Sequence, residues 1–178
     1  MNIPSPNHIL PAIQRSITLL KEEDGALFAL PIEADAKYDS RKLHEVCINH
    51  KLAEHLATEI LPLLDGSQKM FVDIEFNREG LNFKTVVVEG AEATVRPDII
   101  IHNRKSGADK VNLLIVECKK IGASQEDLRE DENKVAALMS DPSYDYHFGL
   151  QILYGDPSVT GTFFSKKQGV IIQGQIRV

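Results

Sequence analysis

Two short apolar runs, Ile99-Ile100-Ile101 and Leu113-Leu114-Ile115-Val116, stand close together in the middle of the chain. Both are too short for helices and predict buried strands. Pro97 bounds the first, and a polar stretch from Asn103 to Val111 containing Gly107 separates the two, which predicts a hairpin. If His102 pairs opposite Leu113, antiparallel register sets Asp98 opposite Glu117. Residues opposite one another share a face, with Cβ atoms ~5 Å apart, and alternation adds Lys119 to that face and turns Cys118 away. Two adjacent acids repel unless a cation lies between them, and oxygen ligands of this kind suit a hard ion such as Mg²⁺. The plainer reading is a hairpin whose end carries an exposed Glu117–Lys119 salt bridge.

The pattern on either side supplies further elements. Residues 1–11, rich in Pro, Asn and Ser, read as an irregular arm. Ser16–Leu20 and Ala26–Ile32 are apolar segments parted by a charged stretch ending in Asp24-Gly25, a turn signal that predicts a hairpin. A helix is expected from Asp39 or Ser40, either of which can cap it. Leu43, Val46, Cys47, His50, Ala53, Leu56 and Ile60 form its apolar stripe, with Leu52 just off it, and Pro62 and Gly66 mark its end. His50 reads as a core-edge histidine. Met70–Phe76 alternates as a half-buried strand, Asn77–Gly80 turns, and Phe83–Val88 gives another strand. Asp73, Glu75, Asn77 and Arg78 either line a groove or face solvent, and solvent is the simpler reading for Asp73.

Beyond Lys120, Ser124 and Asp127 form an N-cap signature for a helix with Leu128, Val135, Leu138 and Met139 turned inward, ended by Asp141-Pro142. Lys134 on that helix is either a phosphate contact or, more simply, a solvated lysine. His147–Tyr154 is a strand, and Thr162–Phe164 with Val170–Val178 predicts a last hairpin.

Composition narrows the class. At 178 residues, with 43% hydrophobic and 26% charged residues, the chain suits one domain with a sizeable core. Cys47 and Cys118 are far apart and in apolar patterns, so buried free thiols are expected and no zinc spacing is present. Neither a signal peptide nor an apolar run near the ~20 residues of a membrane helix is evident, so a cytoplasmic protein is expected. A net charge of −6 argues against strong nonspecific nucleic-acid binding but leaves local patches free to act. Glycine-rich phosphate loops and a nucleophilic serine elbow are absent from the sequence.

Pro97-Asp98 and Glu117-Cys118-Lys119 resemble the motif of the PD-(D/E)xK nuclease superfamily, the restriction-endonuclease-like fold, and the second acid follows the first by 19 residues. The order helix, strands, helix, strand over residues 40–156 resembles that superfamily's αβββαβ core. The implied fold is α/β, with a central mixed sheet flanked by helices, an N-terminal extension over 1–39 carrying a hairpin and a C-terminal hairpin over 157–178. The resemblance implies a DNA nuclease holding Mg²⁺, or Mn²⁺ as a substitute, on Asp98, Glu117 and the Cys118 backbone carbonyl. Lys119 would orient the attacking water or stabilise charge at the phosphorus. Glu45 matches a helix glutamate that completes the ion's shell, with His44 and His50 nearby; alternatively, Glu45 is a solvated residue favoured near a helix N-terminus. The rival function is a noncatalytic nucleic-acid-binding or assembly subunit on the same fold, with a protein partner or a second copy. A regulatory domain binding a small phosphorylated ligand is a third.

Overall fold

In the computed structural model the two apolar runs pair as antiparallel strands at the centre of a mixed sheet. Residues 2–27, 45–79, 82–88, 91–155 and 158–178 are described. In chain order the elements are α1 (Pro6–Asp24), α2 (Glu45–Ile60), β1 (Phe71–Ile74), β2 (Arg78–Glu79), β3 (Asn82–Phe83), β4 (Thr85–Val88), β5 (Ala91–Thr94), β6 (Ile99–His102), β7 (Asn112–Lys120), α3 (Gln125–Ser140), β8 (Phe148–Tyr154), β9 (Thr160–Lys167) and β10 (Val170–Arg177). The central sheet has six strands in the order β1-β6-β7-β8-β9-β10, while β2–β3 and β4–β5 form two small ladders inserted between β1 and β6. Phe83–Val88 therefore does not supply a strand of the main sheet.

Ile99, Ile100 and Ile101 pair with Val116, Ile115 and Leu114, as they would if His102 stood opposite Leu113. It shifts at His102, which pairs with Asn112 rather than Leu113. The irregularity leaves Leu113 and Leu114, consecutive residues, in the same core cluster. β7 and β8 run parallel, which requires a long crossover, and α3 provides it. The Ser124–Asp127 capping box that starts α3 is formed as the sequence suggests. The C-terminal hairpin is present and extends the central sheet through β9, which pairs with β8.

The N-terminal hairpin is not. Pro6–Asp24 is one helix, with Ile9, Ala12, Ile13, Ser16, Ile17 and Leu20 buried along a single face. That stripe runs through Pro11, which sits inside the helix, so one continuous period of 3.6 underlies both the Pro-rich arm and the apolar segment Ser16–Leu20. Pro6 lies in the first turn, where its missing N–H is not needed. The proposed Asp39 or Ser40 cap, Leu43, His44 and the segment 28–32 lie outside the described residues.

The described part of α2 is rotated from its expected facing. Ile48, Asn49, Leu52, Ala53, Leu56 and Ile60 are buried, whereas Val46, Cys47 and His50 are exposed. His50 pairs instead with Glu54 of its own helix at 3.4 Å. The buried row, extended one turn back, reaches Glu45.

The helices cover both faces of the sheet. The larger core cluster joins α1 and α2 to Ile99, Ile101, Leu114, Val116 and Cys118. The smaller joins α3 to Ile100 and Ile115 with Tyr144, Tyr146 and Phe164. Among the described residues no helix is long and apolar enough to cross a membrane.

Candidate functional site

β6 begins at Ile99, so Asp98 stands in the bend just ahead of it, next in register to Glu117. The Asp98 carboxylate completes the ladder with its side chain: Oδ2 accepts the backbone N–H of Cys118 at 2.7 Å. That bond fixes Asp98 against β7. Glu117 follows Ile115 by two residues and so points to the α3 side. Cys118 points to the α2 side, where its sulfur lies 3.2 Å from the Tyr154 hydroxyl, itself 3.0 Å from Asn49 Oδ1.

Facing Glu117 is a cation from α3. Lys134 Nζ lies 2.6 Å from Glu117 Oε2 and 3.4 Å from Asp131 Oδ1. Lys119 Nζ lies 3.4 Å from Asp131 Oδ2, so its ion pair is with Asp131 and not with Glu117. Lys134 is thus no solvated lysine. Asp131, 5% exposed, was not read from the sequence as a site residue. It does have a signal there: a charged residue in the inward row Leu128, Val135, Leu138. Gln151 was also missed. It stands beside Glu117 on β8 and donates from Nε2 to the Leu128 carbonyl at 2.6 Å, tying α3 to the sheet next to the cluster.

The electrostatics follow from burial. Glu117 is 1% exposed, and burial pushes its carboxyl well above the usual range; Lys134 opposes the shift, and the charges of Asp98 and Asp131 reinforce it. Asp98 is also raised by burial, against the Cys118 N–H and the two lysines. Burial alone would lower Lys134 and Lys119, but the neighbouring acids outweigh it and hold both ammonium groups above their ordinary value. Three carboxyls face two ammonium groups, so the fully ionised cluster carries excess negative charge.

Glu45 approaches from α2 at the margin of this cluster. Its carboxyl is raised by burial and by Asp98, and lowered by Lys119 and by a hydrogen bond from the Lys120 backbone N–H. Asp73, expected to face solvent, is engaged elsewhere: Oδ2 lies 2.8 Å from His102 Nε2 and accepts Arg104 Nε at 2.8 Å. Glu75 pairs with Arg96 at 3.5 Å, and the Arg78 guanidinium stacks on Phe83 with its carbon 4.4 Å from the ring centre.

Among the described residues no three His, Cys, Asp or Glu side chains form a ready-made metal cage. The donor set still fits a hard cation in one respect. Glu117 Oε1, like Asp131 Oδ2, is buried with no hydrogen-bond partner, an acceptor whose charge is incompletely satisfied. Asp98 and Glu117, with Glu45 beside them, are the groups that could hold an ion. A groove of about 360 Å³ between Ala93–Val95 and α3 opens next to the cluster, with Asp131 and Lys134 on its wall.

The sequence matches no known family model and no curated protein.

Proposed function

We propose that the protein is a metal-dependent nuclease of the PD-(D/E)xK type that hydrolyses DNA phosphodiester bonds on a restriction-endonuclease-like core. The observation that carries this reading is the pair Asp98 and Glu117, adjacent where β6 begins and β7 nears its end, with a buried Glu117 oxygen left unsatisfied. The sheet order β1-β6-β7-β8, with α3 crossing between parallel β7 and β8, supports assignment of the αβββαβ core.

Asp98, Glu117 and the Cys118 carbonyl would hold Mg²⁺ or Mn²⁺, with Glu45 closing the shell. When bound, the ion supplies polarisation of the phosphate and a lowered pKa for a coordinated water. Cys118 is acceptable between two functional residues because its side chain faces the other core and only its backbone serves the site. Lys119 has donors and no acceptor, so it takes no part as a ligand; its ammonium meets the scissile phosphate or orients the attacking water.

A noncatalytic nucleic-acid-binding or assembly role is the alternative, and the Lys134–Glu117 contact at 2.6 Å favours it, because Glu117 already has a cation. Incubation with single-stranded, double-stranded and branched DNA in Mg²⁺ or Mn²⁺ separates the two. The nuclease cleaves at least one of them, and Asp98→Ala and Glu117→Ala abolish both cleavage and the Mn²⁺-induced rise in melting temperature. No cleavage under any metal condition makes the noncatalytic role the better account.

A further inference from the structure

Lys134 is shared between two environments. Its ammonium contacts Glu117 and Asp131, yet its side chain is 23% exposed and forms part of the wall of the groove between Ala93–Val95 and α3, where Arg129 is the other cation and Glu126, Glu130 and Asp131 are the acids. A lysine stem rotates about four carbon–carbon bonds, so the ammonium can exchange one environment for the other without moving α3. Glu117 has no such freedom. It is 1% exposed on a central strand, with Oε1 unpartnered. The anion is fixed and incompletely satisfied, whereas the cation is tethered and able to leave.

We propose that Lys134 is a displaceable counter-ion: it holds the cation position of Glu117 in the metal-free protein and withdraws into the groove when a divalent ion binds, presenting its ammonium there to a phosphate of the nucleic acid. This rests on the reading of Asp98 and Glu117 as metal ligands. An ammonium 2.6 Å from Glu117 Oε2 and a divalent ion on the same carboxylate would repel at close range in a poorly solvated site. The ion engages Asp98 as well as Glu117, so it prevails once its concentration is sufficient. Lys119 stays 3.4 Å from Asp131 Oδ2, so that carboxylate keeps one ammonium beside it after Lys134 leaves. The same residue thereby stabilises Glu117 before an ion arrives, weakens metal binding and adds positive charge to the groove after loading.

The test uses the full chain and Mn²⁺ as the probe. Calorimetric titration compares wild type with Lys134→Met, which keeps most of the apolar stem and removes the charge, and with Glu117→Gln. Loss of a competing ammonium should tighten Mn²⁺ binding by Lys134→Met on the order of tenfold. A lysine that only orients Glu117 gives the opposite result, weaker binding on removal. A second measurement needs no variant: wild type is acetylated with and without Mn²⁺ and each lysine is read by mass spectrometry. Lys134 should become several-fold more reactive with Mn²⁺, while the exposed Lys69 does not change.

The failures are distinguishable. If neither wild type nor Lys134→Met binds Mn²⁺, or Glu117→Gln binds it as well as wild type does, the metal reading falls and displacement falls with it. If Glu117→Gln abolishes binding but Lys134→Met binds no more tightly than wild type, displacement alone is overturned. Should Lys134→Met not fold, the acetylation decides, and Lys134 reactivity unchanged by bound Mn²⁺ overturns the proposal.

Discussion

Lys119 is built to stay charged. It is buried enough for its ammonium to be penalised, yet Asp131 and Glu45 outweigh that penalty and raise its pKa. A permanent cation two residues from Glu117 is suited to act on a phosphate and unsuited to ligate a metal. Lys119→Ala should therefore keep the Mn²⁺-induced thermal shift while cleavage falls on the order of 10²-fold or more. Lys119→Arg need not restore it, because the larger planar group places its charge differently. Cleavage by Lys119→Ala at the wild-type rate would remove Lys119 from the mechanism. The Asp73–His102 pair has a different signature. Burial lowers the His102 pKa, and the hydrogen bond to Asp73 offsets only part of the shift. The folded protein then binds fewer protons at this residue than the unfolded chain does. Stability from His102 is intact above the ordinary histidine value near 6.5 and is lost as pH falls below it. Asp73, whose pKa is lowered by Arg104 and His102 despite burial, acts only later, as pH falls below the ordinary aspartate value near 3.8. His102→Gln should flatten the decline in melting temperature that begins near pH 6.5. Parallel profiles for variant and wild type would show that the decline originates elsewhere.

Among the elements, β8 is approached closely both by its neighbour strand and by α3. A Cβ at Gly161 on neighbouring β9 would meet the Gln151 carbonyl oxygen at 2.1 Å, and one at Gly149 would meet Val135 Cγ1 at 2.3 Å and Met139 Sδ at 2.8 Å. Side chains of α3 can adjust, but a strand carbonyl in the ladder cannot do so without moving the strand. Gly161→Ala should therefore lose more stability than Gly149→Ala, within the roughly 1–3 kcal/mol typical of overpacking. Each kcal/mol lowers the melting point of a chain this size by about 2–4 °C. Because Gln151 flanks Glu117, Gly161→Ala should also weaken the Mn²⁺ response; the reverse order of melting temperatures would contradict this account. The elements also differ in how much of them was legible in the sequence. The β6–β7 pairing was legible in outline, because two short apolar runs parted by a polar, glycine-containing stretch can pair only as neighbours, and setting His102 opposite Leu113 gives the pairing found from Ile99 to Ile101. The shift at His102 was not, since a bulge is a local backbone choice. α1 was obscured by Pro11, and α2 was turned by counting Cys47 and His50 as core when Ile48 and Leu52 occupy it. The Asp98–Glu117 neighbourhood follows from carrying that same pairing one step beyond Ile99. Lys134 and Asp131 were not joined to it, because pairing across a layer depends on how α3 is set over the sheet, and spacing along one element carries no information about that.

At the scale of the whole molecule, charge and site pull in opposite directions. The chain carries −6 overall, while the cations nearest Glu117 are already engaged with acids. A chain of this net charge, with those cations engaged, is expected to neutralise few phosphates. DNA binding in EDTA, followed by fluorescence anisotropy, should be weak and only shallowly dependent on salt, with a logarithmic slope between zero and about −4. A slope steeper than about −6 would mean a basic surface larger than this distribution of charge supplies.

The two cysteines give the molecule an internal clock. Cys47 is exposed, whereas Cys118 is fully enclosed and burial pushes its thiol well above the ordinary value. A thiol reagent should consume Cys47 at the rate of a small exposed group and reach Cys118 only when β7 is released from its neighbours. Cys118 N–H also anchors Asp98, so the same opening event dismantles the candidate site. With Cys47 replaced by Ser, the lag before the remaining sulfur reacts becomes a measure of how long the site survives between openings, and any ligand that closes over Glu117 should lengthen that lag.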